Sequence, residues 1–344
     1  MKYFILPALG LLAILLTSCS EENPVGSEPL YDEPRFEWQV TQMPGFNNGE
    51  FAYSYWSPDT NEVFMCSINN YLLHYKDGSF NRIDYAANLR LFLIDGINAT
   101  EGYLVGAEYL NGKYFPHIEK WNGNAFFNMS LNYNFEDNFS VSQIFVKSSN
   151  EIWISCTRGR IYKFDGYNLI QYRQADSLMF SEEILYDRSN KLRHLTSYFT
   201  SNDTVEYFYV YDFDGSNWIK TYQDIVYPRA TKTYGKLKYD IFGYDFFKIY
   251  ELQNNTLIPR VTPPNGAGFG KITGDSFDNI MVYLYLTNNF TFFHWNGQKW
   301  SNENVENTLD VDIIEARMVT NDYCCAINTG DVFRAYLYKG TRKK

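Results

Sequence analysis

Apolar and polar residues alternate along most of this chain in short runs, and turn residues break the runs at near-regular intervals. Val141 to Ser148 is one such run, closed by Ser149-Asn150. Glu151 to Thr157 follows, then Arg158-Gly159, then Arg160 to Asp165, and after an Asp-Gly pair, Leu169 to Gln174. Short β-rich runs between turn residues, with no segment of helical period, predict four antiparallel strands. Glu62 to Ile68 and Asn279 to Thr287 read as second strands of the same plan, and Tyr71 to Asp77 and Phe290 to Asn296 as third strands.

The plan repeats. Tyr75-Lys76-Asp77-Gly78 returns as Trp121-Asn122-Gly123, Phe164-Asp165-Gly166, Phe213-Asp214-Gly215 and Trp295-Asn296-Gly297. Each joins an aromatic strand end to an Asp-Gly or Asn-Gly pair, a strong hairpin signal because both central residues of such a turn take positive φ. Asn254-Asn255 fills the gap before Gly297, and Tyr338-Lys339-Gly340 completes the series. A period of about 40–50 residues is that of four-stranded propeller blades. The sequence therefore predicts an all-β, seven-bladed β-propeller, with six or eight blades as the alternatives. Only four residues follow Gly340, too few for a last strand, while Phe36 to Val40 forms a strand ahead of the first blade. Pairing this N-terminal strand with the C-terminal ones closes the ring and removes an exposed edge.

The segment ahead of that strand predicts a location. Lys2 precedes an apolar run, Phe4 to Leu16, too short for a membrane span of about 20 residues and suited to a secretory signal. Leu16-Thr17-Ser18-Cys19 resembles the bacterial lipobox, in which the cysteine is acylated and becomes the new N-terminus. Residues 1–18 are expected to be the signal peptide, 19–34 a lipidated tether rich in acidic residues and proline, and 35–344 the propeller. Cys19 is the expected lipidation site and the membrane the partner it implies. Ser20 after the cysteine resembles the outer-membrane sorting pattern, leaving a periplasmic or a cell-surface position open.

The Tyr-Lys-Phe-Asp-Gly stretch at 162–166 resembles propeller repeats of bacterial extracytoplasmic proteins, among them sensor regions of Bacteroidetes two-component regulators. That resemblance implies the fold and an exterior location, and carries no catalytic residues.

Composition narrows the function further. The formal net charge is −10, which repels phosphate backbones, so no nucleic-acid partner is expected. His74, His117, His194 and His294 share no register and no ligand spacing, and Asp212-x-Asp214-Gly215 lacks the rest of a calcium loop. No nucleophile motif or phosphate-cradling loop occurs, so neither metal nor cofactor is expected. With Glu62, Glu151 and Asp322 taken as equivalent strand starts, alternation of faces lets Cys66 and Cys325 meet across blades seven and one in a disulfide. In the usual strand order, Asn69, Asn70, Tyr109, Arg158, Tyr244 and Asn288 share one face with the loops Leu131–Phe139 and Ala175–Ser181. Such residues suit contact with protein or glycan. The reading is a membrane-anchored, non-enzymatic binding or scaffold propeller. The alternative is a carbohydrate-active enzyme, a glycoside hydrolase or polysaccharide lyase, with carboxylates in the central funnel.

Overall fold

The computed structural model describes residues 33–44, 52–67, 69–134, 138–200, 205–227, 233–245, 247–264, 269–286, 289–303, 305, 312–320, 322–329 and 335–344. Cys19, the signal and nearly all of the tether lie outside them. Seven four-stranded antiparallel sheets form the ring of a β-propeller. Blades one to six run in sequence order, beginning at Ala52, Leu89, Val141, Met179, Thr233 and Phe269. The seventh is built from Asp312–Thr320, Tyr323–Thr329 and Ala335–Arg342, with Phe36–Met43 added as its outer strand.

Closure by the N-terminal strand is thus observed, in a register running from Phe36 opposite Arg342 to Met43 opposite Ala335. One premise behind it is corrected. Gly340 is no turn; it lies inside the strand Ala335–Arg342, opposite Trp38 and Cys324. Its missing side chain has another use, since a Cβ there would stand 3.0 Å from the Trp38 indole.

The repeated turn also works differently from expectation in most blades. At Asp77-Gly78 and Asn254-Asn255 both residues do have positive φ, as a two-residue hairpin requires. At Asn122, Asp165, Asp214 and Asn296 only the following glycine does. There the Asp or Asn side chain accepts two backbone N–H groups, as Asp214 Oδ1 does from Ser216 and Asn217 at 2.8 and 2.7 Å. The same letters are selected for a side-chain acceptor rather than for left-handed tolerance.

The core is divided among the seams. Each of the seven has its own apolar cluster, from Tyr55, Val63 and Met65 against Cys325 and Ile327 between blades seven and one, to Met281, Tyr283 and Phe292 against Phe36 and Tyr338 between six and seven. Alternate residues of a strand face opposite neighbours, so every blade is apolar on both sides. Blade two admits the Trp56 ring only because residues 96 and 102 are glycine: a Cβ at either would come within 2.5 Å of indole carbons.

The expected Cys66–Cys325 bond is not formed. Both are buried, unbridged thiols, Cys66 in the seam between blades one and two and Cys325 in that between seven and one. The strand-start alignment was one residue out: Tyr323, opposite Thr320, corresponds to Glu62 opposite Asp59 and Glu151 opposite Ser148. In the corrected register both thiols point the same way round the ring and never face one another.

Candidate functional site

The sheet order sends the turns between second and third strands, and the crossings from each fourth strand to the next blade, to one end of the ring. Asn69, Asn70, Tyr109, Arg158 and Tyr244 all fall there, and Asn288 lies outside the described residues. They do not form one cluster. Asn70 sits in the left-handed region (φ 59°), where its carbonyl accepts the Tyr85 N–H at 3.0 Å. Tyr244 packs into the cluster between blades five and six beside Phe242. Of the two longer loops, the first does not stay on this end. Asn132 runs along blade three to bridge Asn168, and Phe139 is fully buried. The second is shorter than expected, because the inner strand of blade four already begins at Met179.

What distinguishes this end is a difference in height. Counted from the equivalent starts Glu101, Glu151 and Lys191, the second strand of blade three stops at Cys156. That of blade two continues to Leu110, four residues further, and that of blade four to Phe199, three further. At about 3.3 Å per residue the flanking hairpins stand roughly 10–13 Å above the turn of blade three. The result is a saddle over blade three. One wall carries Tyr109, 48% exposed, with Tyr114 against it at 5.0 Å. The other carries Tyr198, Tyr207 and Tyr209, all half-buried, with Tyr209 5.6 Å from Tyr198 and 6.0 Å from Tyr207, while Phe180 and Phe199, in edge contact with each other, lie on the opposite face of blade four, toward blade five.

Arg158 is the floor. It is exposed, at φ 63°, and is the one residue other than glycine, asparagine or aspartate with positive φ among those described. Its carbonyl accepts the Asp176 N–H at 2.8 Å, which ties the turn to the crossing into blade four. Gly159 beside it lets Met179 close in, for a Cβ there would stand 2.2 Å from the sulfur. An arginine held left-handed costs about 1–2 kcal/mol and persists only where its surroundings impose it.

Charged groups from the inner strands form a second feature around the central channel. Lys236 of blade five stands 2.9 Å from the Glu183 carboxylate of blade four and donates to the Ile184 carbonyl at 3.1 Å. The neighbouring Glu182 side chain is exposed; partial desolvation by its surroundings pushes its carboxyl up, Glu183 and Glu206 add to this, and Ser197 and Lys271 oppose it. On other inner strands Arg317 lies 3.6 Å from Asp95, which also accepts the Val146 N–H at 3.3 Å. Burial raises the Asp95 carboxyl against the pull of Arg317 and Lys236. The histidines stay apart, each beside its own partner: His74 with Glu62, His117 with Glu119, His194 between Arg173 and Ser181, His294 with Asn279. Among the described residues no group of three or more His, Cys, Asp or Glu side chains could hold a metal ion.

The walls of the saddle escaped the sequence reading, although signals existed. Asn111-Gly112, both at positive φ, is a hairpin tip that marks the taller turn of blade two. Among the spacings that cross a single blade the widest runs from Gly166 to Gly215, across blade four, where the second tall hairpin lies.

No family model matches the sequence, and no curated protein matches it. Solved structures do. YCF48 bound to a D1 peptide is 12% identical with a TM-score of 0.65, covering 92% of this chain and 100% of that one. Virginiamycin B lyase from Staphylococcus aureus is 13% identical with a TM-score of 0.58, over 90% of this chain and all of the other. The extracellular domain of the two-component system BT4673 from B. thetaiotaomicron is 11% identical with a TM-score of 0.55, over 90% of this chain and 42% of that chain. At such identities the likeness is one of fold.

Proposed function

We propose that this protein is a lipid-anchored propeller of the bacterial cell envelope, held in the outer membrane through Cys19, that binds a macromolecular partner on its loop face. The observation that carries the reading is the saddle. It combines tyrosine walls, one exposed and one half-buried, with an exposed arginine in an imposed backbone conformation, all on a rigid scaffold, and functional residues concentrate in loops so placed. The closing strand supports an outward orientation, because Phe36 lies opposite Arg342, at the end of the ring away from the saddle. The neighbours include one protein solved with a peptide and one extracellular domain, which fits a binding role outside the cytoplasm. A photo-crosslinking residue at Tyr109 or Arg158 of the full chain should capture a partner in living cells, and one at Tyr167, exposed on the opposite end, should not. Capture from position 167 alone would overturn the assignment of the face. Cys19→Ser should abolish acylation and release the protein from membranes.

A second reading has its own observation. Glu182 and Glu183 are adjacent carboxyl groups on the inner strand of blade four, one exposed and with its carboxyl pushed up, the other beside a lysine, an asymmetry suited to acid–base work on a glycan. Polysaccharide turnover lost in Glu182→Gln would establish the enzyme instead of the binding module.

A further inference from the structure

We propose that the saddle over blade three binds a neutral polysaccharide, whose hydroxyl groups meet Arg158, Asp176 and the tyrosine hydroxyls of the two walls. The inference rests on the loop-face reading and names the class of its ligand.

Alternation along the strands decides what the walls present. Tyr109 continues the side of its strand on which Tyr103, Val105 and Ala107 pack toward blade three, and Tyr114 stands opposite it. Tyr198, Tyr207 and Tyr209 share a side of blade four with Leu192 and Phe213, which pack on Trp153 of blade three. Leu110, Phe180 and Phe199 fall on the other sides of their blades. The saddle is therefore faced with tyrosine and not with the apolar anchoring surface that groove-binding peptides use.

The hydroxyls of these tyrosines set them apart. Elsewhere Tyr85, Tyr103 and Tyr250 donate to Glu119, Glu101 and Asp245, each at 2.8 Å. The wall tyrosines have no such partner among the described residues, and their hydroxyls stay open to solvent. Burial, then the neighbouring hydroxyls of Tyr211, Tyr198 and Tyr207 and the Asp176 carboxylate, push the Tyr209 pKa up. The Arg158 guanidinium is likewise in no hydrogen bond or ion pair among the described residues. Asp176, tied to the Arg158 carbonyl through its N–H, uses Oδ1 on the Leu178 N–H at 3.1 Å and leaves Oδ2 unengaged. A guanidinium that only donates, a carboxylate that only accepts and phenols that do both match sugar hydroxyls, each of which is donor and acceptor. The Tyr109 ring, 48% exposed, adds an apolar surface for the C–H side of a sugar. Charge makes the polymer neutral: the chain carries a formal −10 and Asp176 stands beside Arg158, so a polyanion is repelled.

The test places the full chain, purified in detergent, on an array of neutral and acidic glycans, then runs it through native gels containing the polymer that retains it best. Neutral polymers should retain the chain. In the gels Arg158→Ala should lower apparent affinity about tenfold, and Tyr207→Phe and Tyr209→Phe about threefold each. The two phenylalanine variants remove only a hydroxyl, so their melting temperatures should match the parent. Tyr85→Phe, whose hydroxyl belongs to Glu119 in another seam, should bind like the parent. Retention by acidic glycans alone, or by no glycan while peptides selected from a random library bind at Tyr109, overturns the glycan assignment and leaves the loop-face reading standing. Neutral-glycan binding that Glu182→Gln abolishes and the Arg158 and tyrosine variants leave intact overturns the saddle and the loop-face reading together.

Discussion

The Glu303 carboxylate accepts the backbone N–H of Phe36 at 2.9 Å and that of Arg35 at 3.1 Å, so a residue of blade six secures the first turn of the strand that closes blade seven. Glu303 is 1% exposed and is held in turn by the Ser301 hydroxyl. The strand it secures brings Phe36 and Trp38 onto blade six, where Trp38 stacks on Phe292 at 4.6 Å. Ring closure is therefore a contact between three parts of the chain rather than strand pairing alone.

Glu303→Ala should leave two backbone donors without their acceptor, each at about 1–3 kcal/mol where buried. The loss should appear as a lower melting temperature and as faster amide exchange across residues 36–43 than across the inner strands. Uniform exchange changes over all seven blades would mean that Glu303 is not specific to closure.

His294 gives stability near this seam a pH dependence. Its ring is fully buried in edge contact with Phe36, and its Nε2–H donates to Asn279 Oδ1 at 2.6 Å. Burial first, then Arg342 and Arg35, lower its pKa to about 3. The folded state thus holds the neutral ring while the unfolded chain titrates near the ordinary value of about 6.5. Its contribution is complete above pH 6.5 and is lost as pH falls toward 3, by about 1.4 kcal/mol per unit in that window. His294→Gln should flatten the stability profile between those limits, as measured by urea unfolding at each pH. An unchanged slope would mean that other groups govern the acid transition.

The blade plan was legible because it is local. Alternation along Val141–Ser148 and the turns at Ser149-Asn150 and Asp165-Gly166 each act within a few residues, and they recur. Glycine at 340 was misread for the same reason: nothing nearby reveals that Trp38, some 300 positions away, needs the space. Arg158 could be named from the sequence because its turn is local. The Tyr109 and Tyr209 walls could not be seen as one site, since that depends on how far strands of three blades rise.

Gly102→Ala tests how tightly the seam between blades one and two is fitted. A Cβ at 102 would lie 2.4 Å from the Trp56 ring, which is itself 5% exposed and stacked on Phe64 at 5.4 Å. The ring has no free direction in which to move, so the substitution overpacks the core and should destabilise by about 1–3 kcal/mol. Trp56→Phe in the same chain should recover part of the loss, which a separate effect of alanine on strand propensity would not allow.

The buried cysteines support a last prediction. Cys66, Cys156, Cys324 and Cys325 are all enclosed in seams, and burial pushes the Cys156 thiol up to about 12 and the Cys324 thiol upward as well. A thiol that cannot ionise is a poor nucleophile, and one that no reagent can reach reacts only on unfolding. In the native chain, alkylation by iodoacetamide at pH 8 should therefore be slow at all four positions and become fast at the same denaturant concentration that unfolds the ring. Dithiothreitol should leave the melting temperature unchanged, because Cys66 and Cys325 face different seams and share no disulfide. Cys325→Ser should destabilise through its own environment, where the Cys325 carbonyl receives the Tyr55 hydroxyl and the side chain packs in the cluster of Val63 and Met65. Cys66→Ser should act independently of it. Additive losses in the double variant are expected for two separate seams, whereas a non-additive pair sensitive to dithiothreitol would restore the disulfide.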